Sequence, residues 1–410
     1  MKKCKEAVIT KRAELAARGG HPWIYSTEVM KVEEGAEPGD LVRVLSVKGK
    51  FVGTGFYNPH SKITIRIFSV NANDTFDTAF WKRRMAYAVD YRLQVMRPED
   101  MNCCRLVFGE ADQMPGLTVD RFGTVLSVQI LSLGIEKRKD VILNALIEVL
   151  NERNLHVSAV YERNDVKIRE LEGMEQFKGF FDSPLLDPKA KTTTAGIVEN
   201  GIRYTVDVEN GQKTGFFLDQ KFNRLAAAAI ARNRHVLDCF THTGSFALNA
   251  GIAGAKSVLG VDASQLAVDQ ATENAKLNGL ENMVSFRCAD VFELLPELEA
   301  QGEKYDVVIL DPPAFTKSRN SIKNAVKGYR EINLRGLKLV KDGGFLVTCS
   351  CSHFMDPELF AKTIREASHG AHKRLRQVEF KTQGPDHPIL WAADESYYLK
   401  FYIFQVVDEK

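Results

Sequence analysis

Two cysteines one residue apart, Cys349 and Cys351, stand in the stretch TCSCSHFM, where the apolar run GGFLV gives way to small polar residues. A thiol becomes a strong nucleophile only where it is exposed and its pKa is lowered. Cys349 is still inside the apolar run, the place of a small buried hydrophobe. Cys351 falls past the strand, in a loop from which it can point into a cleft. A second run, YDVVILDPPAFTKS, ends abruptly in Asp311, two prolines and, after Ala314, Phe315. Paired prolines hold an extended turn with few amide donors of its own, so carboxylate and ring face one crevice. A planar base can stack on such a ring while the carboxylate bonds its Watson–Crick edge. A thiolate that adds to C6 of a pyrimidine turns C5 into an enamine-like carbon able to attack an electrophilic methyl, and cytosine C5 is otherwise too poor a nucleophile. The plainer alternatives are that both thiols are packing residues and that Pro-Pro merely stops a strand.

A methyl donor needs its own site, and VLDCFTHTGSFALNA, residues 236 to 250, offers one. A dinucleotide fingerprint requires three glycines there to admit a pyrophosphate, and only Gly244 is present. One glycine with an acid before the turn, Asp238, suits a ligand without pyrophosphate that carries positive charge, such as S-adenosylmethionine. Asp262 ends VLGVDAS, 24 residues beyond Asp238 and close to the offset of about 20 at which an acid accepts ribose hydroxyls. Ser264 then caps a helix that Gly279 ends, and Asp290, closing a third strand, is placed to accept from an adenine amino group. Upstream, GQKTGFFLDQKFNR sets Phe216 and Phe217 beside Asp219 and Gln220, a suitable lid over an adenosyl ligand or simply an amphipathic helix start.

All these residues need strands to hold them. From residue 234 the chain alternates strand and helix: HVLDCF, SFALNAGIAG, SVLGVDA, SQLAVDQATENAKLNG, VSFRCAD, VFELLPEL, YDVVILDPP, a long basic helix and GGFLVTCS. That spacing predicts right-handed crossovers and a parallel, doubly wound sheet, in which ligands bind beyond the carboxyl ends of the strands. Before it, DLVRVLSV, KGKFVGTGFY and KITIRIFSV alternate with period two, the mark of half-buried strands. Between the two regions lie a helix over FDTAFWKRRMAYAVDYRLQVM, two strands joined at Phe122-Gly123 and a second helix over KRKDVILNALIEVLN. The expected division is 1–73 for a small β domain, 74–190 for a central α/β domain and 191–410 for the doubly wound domain.

At 410 residues the chain exceeds one ordinary core. Its 55 Lys plus Arg against 53 Asp plus Glu give a net charge of only +2, so a nucleic-acid surface must come from local clustering. Seven cysteines without CxxC or zinc-finger spacing read as reduced thiols. The basic start MKKCKEAVITKRAEL lacks a following apolar stretch, and no apolar run reaches the ~18 residues of a membrane span, so a cytoplasmic protein is expected.

With these motifs the sequence resembles the bacterial and archaeal class I methyltransferases that make 5-methylcytosine in large-subunit (23S) ribosomal RNA. ARGGHPWIYSTEV and GTGFYNPHSKITIRIFS resemble that family's PUA domain, a small RNA-binding β barrel; RLVFGEADQMPGLTVDRFG and YERNDVKIRELEGM resemble its central α/β domain. GQKTGFFLDQ, LDCFTHTGSFALNA, DPPAFTKS, SCSHFM, GPDHPIL and YYLKFYIF resemble its Rossmann-like methyltransferase domain. The resemblance implies Cys351 as the attacking thiol and Asp311 as the group that orients cytosine. It implies S-adenosylmethionine as the cofactor, held by Gln220, Asp238, Gly244, Asp262 and Asp290; Phe217, Phe240 and Thr243, in the same stretches, are further candidates for that site. Two departures stand out: His353 replaces the family's small residue, and Ala314 sits where many RNA cytosine-5 methyltransferases carry a product-expelling cysteine. The base that removes the C5 proton is left among Cys349, His353 and a water on Asp311.

Basic residues cluster at Lys317, Arg319, Lys323, Lys327 and Arg330, and again at Lys373, Arg374 and Arg376. Helical recurrence of the first group makes a stripe able to meet phosphates, or only a solvated face. Phe315, Lys317 and, in the amino-terminal domain, Arg18 are the candidate RNA contacts, with Lys11 and Arg12 beside Arg18. The partner implied is 23S ribosomal RNA or an assembling large subunit; self-pairing is left open. Two other functions compete: an amino-group or guanine-nitrogen methyltransferase on the same scaffold, and a nonenzymatic RNA-binding assembly factor.

Overall fold

The computed structural model describes residues 4–316 and 318–408. The chain forms two compact units. One comprises Met1–Ile197, Thr205–Leu218 and Pro385–Ser396, the other Val198–Tyr204, Asp219–Gly384 and Tyr397–Lys410.

The first unit holds two sheets. Six strands run in the order Trp23–Tyr25, Ile63–Ser69, Phe51–Tyr57, Leu41–Ser46, Lys5–Ile9 and Val29–Val32. Five more, Phe177–Phe180, Ala159–Asn164, Val125–Ile130, Leu117–Phe122 and Cys103–Phe108, form the second sheet. The turn anticipated at Phe122-Gly123 is present, with Gly123 in the left-handed region at φ 60°. Asp77 caps the helix Thr78–Val95 by accepting from Phe80 N, and Trp81 and Phe80 from its first turn pack with Phe68 and Phe56 of the six-stranded sheet. Gly134 is needed there, since a Cβ would lie 2.1 Å from Phe56 Cγ. The segment Pro385–Ser396, late in sequence, is bound into this unit through Asp386: Arg92 donates to its backbone carbonyl at 2.8 Å, and Arg105 N to its carboxylate at 3.0 Å.

The second unit is a seven-stranded sheet. Its strands are β1 His235–Cys239, β2 Ser257–Asp262, β3 Val284–Cys288, β4 Tyr305–Leu310, β5 Val340–Ser350, β6 Lys373–Lys381 and β7 Lys400–Asp408, in the spatial order β3-β2-β1-β4-β5-β7-β6. The helices are α1 Lys221–Ala229, α2 Ser245–Ile252, α3 Gln265–Leu277, α4 Val291–Ala300, α5 Ile322–Leu339 and α6 Pro357–Gly370. Ser264 caps α3, and Gly279 follows its end at φ +66°. The α/β, doubly wound fold expected for this region is present, with one correction. The sheet is parallel only from β3 to β5, because β7 inserts antiparallel between β5 and β6. Alternation of strand and helix reports crossovers, and β6 and β7 pair without one, so their direction escapes the pattern. The core has Leu237, Val261, Val308 and Leu346 from the strands against Leu294, Leu298 and Leu337 from the helices.

Candidate active site

Strand β1 ends at Cys239, and the chain then folds back in FTHTG. Phe240, His242 and Gly244 have φ of 65°, 51° and 82°. A non-glycine residue held in that region costs about 1–3 kcal/mol, which the surroundings must offset. At Gly244 a side chain would force its neighbours to shift, as a Cβ would lie 2.8 Å from Phe286 Cζ and 3.1 Å from Ala271 Cβ. Asp238 ties the turn together from beneath. It is fully buried, and one oxygen accepts from Thr241 Oγ1 at 2.6 Å and Ala247 N at 3.0 Å. Its other oxygen and the Thr243 hydroxyl are buried without a hydrogen-bond partner. Burial pushes Asp238 up to about 7, with Asp311 and Asp262 adding to the rise and the Thr241 and Ala247 bonds opposing it. Asp262, at the end of β2, accepts from His242 N and Ser264 N, both at 2.9 Å. Asp290 is exposed and caps α4 through Phe292 N at 2.8 Å.

The ends of β4 and β5 meet through register. Leu310 lies opposite Thr348, which sets Asp311 level with Cys349. Cys349 is fully buried and hydrogen-bonds Asp311, and burial lifts its thiol well above the ordinary value. Cys351 is half-buried just past β5, with Sγ 3.9 Å from Pro312 O. Gln220 Nε2 donates to Asp311 Oδ1 at 3.0 Å, while its Oε1 accepts from Asn223 at 2.6 Å. Desolvation, then the charge of Asp219, push Asp311 up to about 6, against Arg224, Gln220 and Cys349. Tyr329 of α5 binds the loop around Cys351 from both sides, its hydroxyl 3.0 Å from Ser352 Oγ and 3.1 Å from Ser350 Oγ. The strand ends thus gather one half-exposed thiol, one buried thiol and a carboxylate of raised pKa beside a carboxylate-lined turn.

A family model described as S-adenosylmethionine-dependent methyltransferase matches residues 186–401, and one described as a PUA-like domain matches residues 7–70. The chain belongs to the S-adenosylmethionine-dependent methyltransferases. The methyltransferase is 37% identical over 405 residues to ribosomal RNA large subunit methyltransferase I of Alteromonas mediterranea, covering 98% of this chain and 99% of that protein. It is also 37% identical to the protein of that name from Aliivibrio fischeri, over 97% and 98% of the two chains. In fold it is similar to a structure described as a SAM-dependent methyltransferase from Streptococcus mutans, with a TM-score of 0.81 at 20% identity over 98% and 99% of the chains.

The turn after β1 has groups that fit the family's cofactor. The unpartnered oxygens of Asp238 and Thr243 can serve a cationic, hydrogen-bonding ligand, and Asp262 retains lone pairs for hydroxyls. Of the residues anticipated from sequence, Asp238, Phe240, Thr243 and Gly244 lie in or just before this turn, Asp262 at the end of β2 accepts from its His242 N, and Asp311 and Cys351 share the adjoining strand ends. Gln220 is engaged with Asp311 and Asn223. Phe217 belongs to the first unit, where the Lys213 ammonium stands 4.8 Å above its ring. Phe315 packs 4.6 Å from the Tyr329 ring and 3.1 Å from where a Gly328 Cβ would be, so the helix beneath sets its plane. Lys323, Lys327 and Arg330 are exposed along one side of α5; Lys317 and the Arg319 side chain lie outside the described residues. Lys373, Arg374 and Arg376 fall on β6, the sheet's edge. Arg18 donates to Glu14 at 3.0 Å and to Phe51 O at 3.3 Å. Sequence reasoning missed Asn223, Tyr329 and Lys400, each of which has a partner on a distant element: Thr382 O, the Ser350 and Ser352 hydroxyls, and Ser352 O.

Proposed function

We propose that this methyltransferase forms 5-methylcytosine in large-subunit (23S) ribosomal RNA, with Cys351 as the nucleophile. What carries the reading is the pairing of a half-exposed Cys351, its Sγ 3.9 Å from Pro312 O, with the adjacent carboxylate of Asp311. Bound S-adenosylmethionine supplies an electrophilic methyl. Cys351 as thiolate adds to C6 of the flipped cytosine and so makes C5 nucleophilic. Asp311, held by Gln220 and Cys349, accepts from the exocyclic amino group and fixes the ring. Once C5 carries the methyl, its proton passes to a base left among Cys349, His353 and a water on Asp311, the C5–H electrons restore the C5–C6 double bond, and the Cys351–C6 bond breaks to release the thiolate.

The name of its 37% identical relatives supports ribosomal RNA as the substrate. The division into a PUA-like domain at 1–73, a central domain at 74–190 and a methyltransferase domain at 191–410 goes with this reading, as does action in the cytoplasm. Among the described residues no helix is long and apolar enough to cross a membrane. The test is incubation with S-adenosylmethionine and ribosomal RNA carrying 5-fluorocytosine, which cannot release its C5 substituent. Wild type is expected to form a covalent adduct and Cys351→Ala none, although the variant still binds the cofactor. Undiminished methyl transfer by Cys351→Ala would eliminate the thiol route and favour methylation of a ring or amino nitrogen.

A further inference from the structure

Lys400 sits on β7 directly opposite Ser350 of β5 and is only 1% exposed. Its ammonium reaches under the loop that carries Cys351. There Nζ donates to Ser352 O at 2.6 Å and to Tyr398 O at 2.8 Å. Both acceptors are neutral carbonyls, and among the described residues no carboxylate pairs with this lysine. A buried, unneutralised ammonium is costly unless it serves a charge that is present part of the time. One such charge is adjacent, since a thiolate at Cys351 stabilises the ammonium.

We propose that Lys400 is the positioning residue of the nucleophile, fixing the Ser350–Ser352 loop through its bond to Ser352 O, with Tyr398 O holding the ammonium in place, and favouring the thiolate form of Cys351. The inference rests on reading Cys351 as the attacking group. The other ionisable groups around the thiol do not supply this. Cys349, on the same strand, is held neutral by burial, and Asp311 beyond it is an acid that opposes a second negative charge. Tyr329 on α5 is pushed up to about 12 by burial and stays neutral. Asp356 accepts from Leu359 N at 2.8 Å to cap α6, and its charge acts on Lys400 in the same sense as the thiolate. His353, two residues past the thiol, is the other side chain of the loop able to become positive. Burial pulls Lys400 down to about 8, against the pull of Cys351 and Asp356, so it is charged at neutral pH and loses its proton in mild alkali.

The experiment is the rate of Cys351 alkylation by iodoacetamide as a function of pH, read at that residue by mass spectrometry on the full chain, for wild type and Lys400→Met. Wild type is expected to titrate below the ordinary thiol value of about 8.5. In Lys400→Met the apparent pKa rises by about one unit or more, cutting the thiolate fraction at pH 7 about tenfold. The turnover number falls in parallel, recovering as pH is raised toward 9, and cofactor affinity is unchanged. Equal alkylation profiles in the two proteins overturn the proposal. Should Lys400→Met fail to fold, the wild-type profile still decides, because a Cys351 titrating at or above about 8.5 is incompatible with an activating ammonium. A Lys400-dependent thiol with no 5-fluorocytosine adduct leaves the electrostatic link intact and removes only the nucleophile reading.

Discussion

Replacing Asp238 by Asn separates the stability of the proposed donor site from its function. The carboxyl is fully buried and raised from 3.8 to about 7, chiefly by burial. Three units at about 1.36 kcal/mol each set a ceiling of about 4 kcal/mol on the cost of its ionised form in the cofactor-free protein. The sign follows from proton counts. Between pH 4 and 7 the native state keeps a proton that the unfolded chain has lost, so stability falls as pH rises through that window. Asn stays neutral throughout, and its Oδ1 can accept from Thr241 and Ala247 as the carboxylate does. Urea unfolding at pH 5 and pH 7.5 without cofactor reads the difference directly. Wild type should lose about 3 kcal/mol relative to Asp238→Asn over that interval, two of the three units, leaving the variant the more stable at pH 7.5. Calorimetry should then show the variant losing most of its affinity for S-adenosylmethionine, whereas wild type at pH 6 releases a proton on binding. Parallel stability curves for the two proteins would refute the buried-charge account, and full cofactor affinity in Asp238→Asn would refute the assigned role.

Other parts of the architecture make equally direct predictions. Gly244→Ala must adopt φ +82° against Phe286 and Ala271. Left-handed strain of about 1–2 kcal/mol and overpacking of about 1–3 kcal/mol predict a loss of about 2–5 kcal/mol in urea unfolding, and a loss below 0.5 kcal/mol would show that the turn relaxes freely. In the first unit Arg92 is fully buried and donates to Asp112, Arg105 O and Asp386 O, so Arg92→Leu takes the paired cation from a carboxylate that is 7% exposed and leaves it Phe108 N, which should cost about 3–5 kcal/mol by the same measurement. Gln220→Leu removes a bond that lowers the Asp311 pKa, so the acid limb of the pH–rate profile, expected near 6 in wild type, should move to higher pH. An unmoved limb would assign that titration to another group.

What could be read in advance was local. Ser264 and Gly279 mark the ends of α3 because a cap and a left-handed exit depend on neighbouring residues alone. The same holds for the burial of Cys349 inside an apolar run and the partial exposure of Cys351 beyond it. One local signal was passed over. In IVENGIRYTV an Asn-Gly pair lies between alternating apolar residues, a strong hairpin mark, and the structure has strands Thr194–Glu199 and Ile202–Asp207 with Asn200 and Gly201 at φ 54° and 80°. The antiparallel β7, the capture of Pro385–Ser396 by Arg92 and Arg105, and the seat of Lys400 were not legible, because each depends on a partner dozens to hundreds of residues away.

The spacing of the two cysteines follows from the pleat. Successive side chains of a strand alternate, so Cys349 and Cys351 lean to the same side with two residues' rise between them. Pairing of Leu310 with Thr348 brings the first beside Asp311 and the second beside Pro312. The inner thiol, neutral because buried, donates to the acid and helps to hold it. The outer one, past the last ladder bond, is left to the cleft. A one-residue slip of β5 against β4 would turn both thiols to the other face of the sheet, taking the one proposed to attack out of the cleft and the one that steadies Asp311 away from it. Register between two parallel strands is therefore as much a part of the proposed catalytic apparatus as the residues themselves.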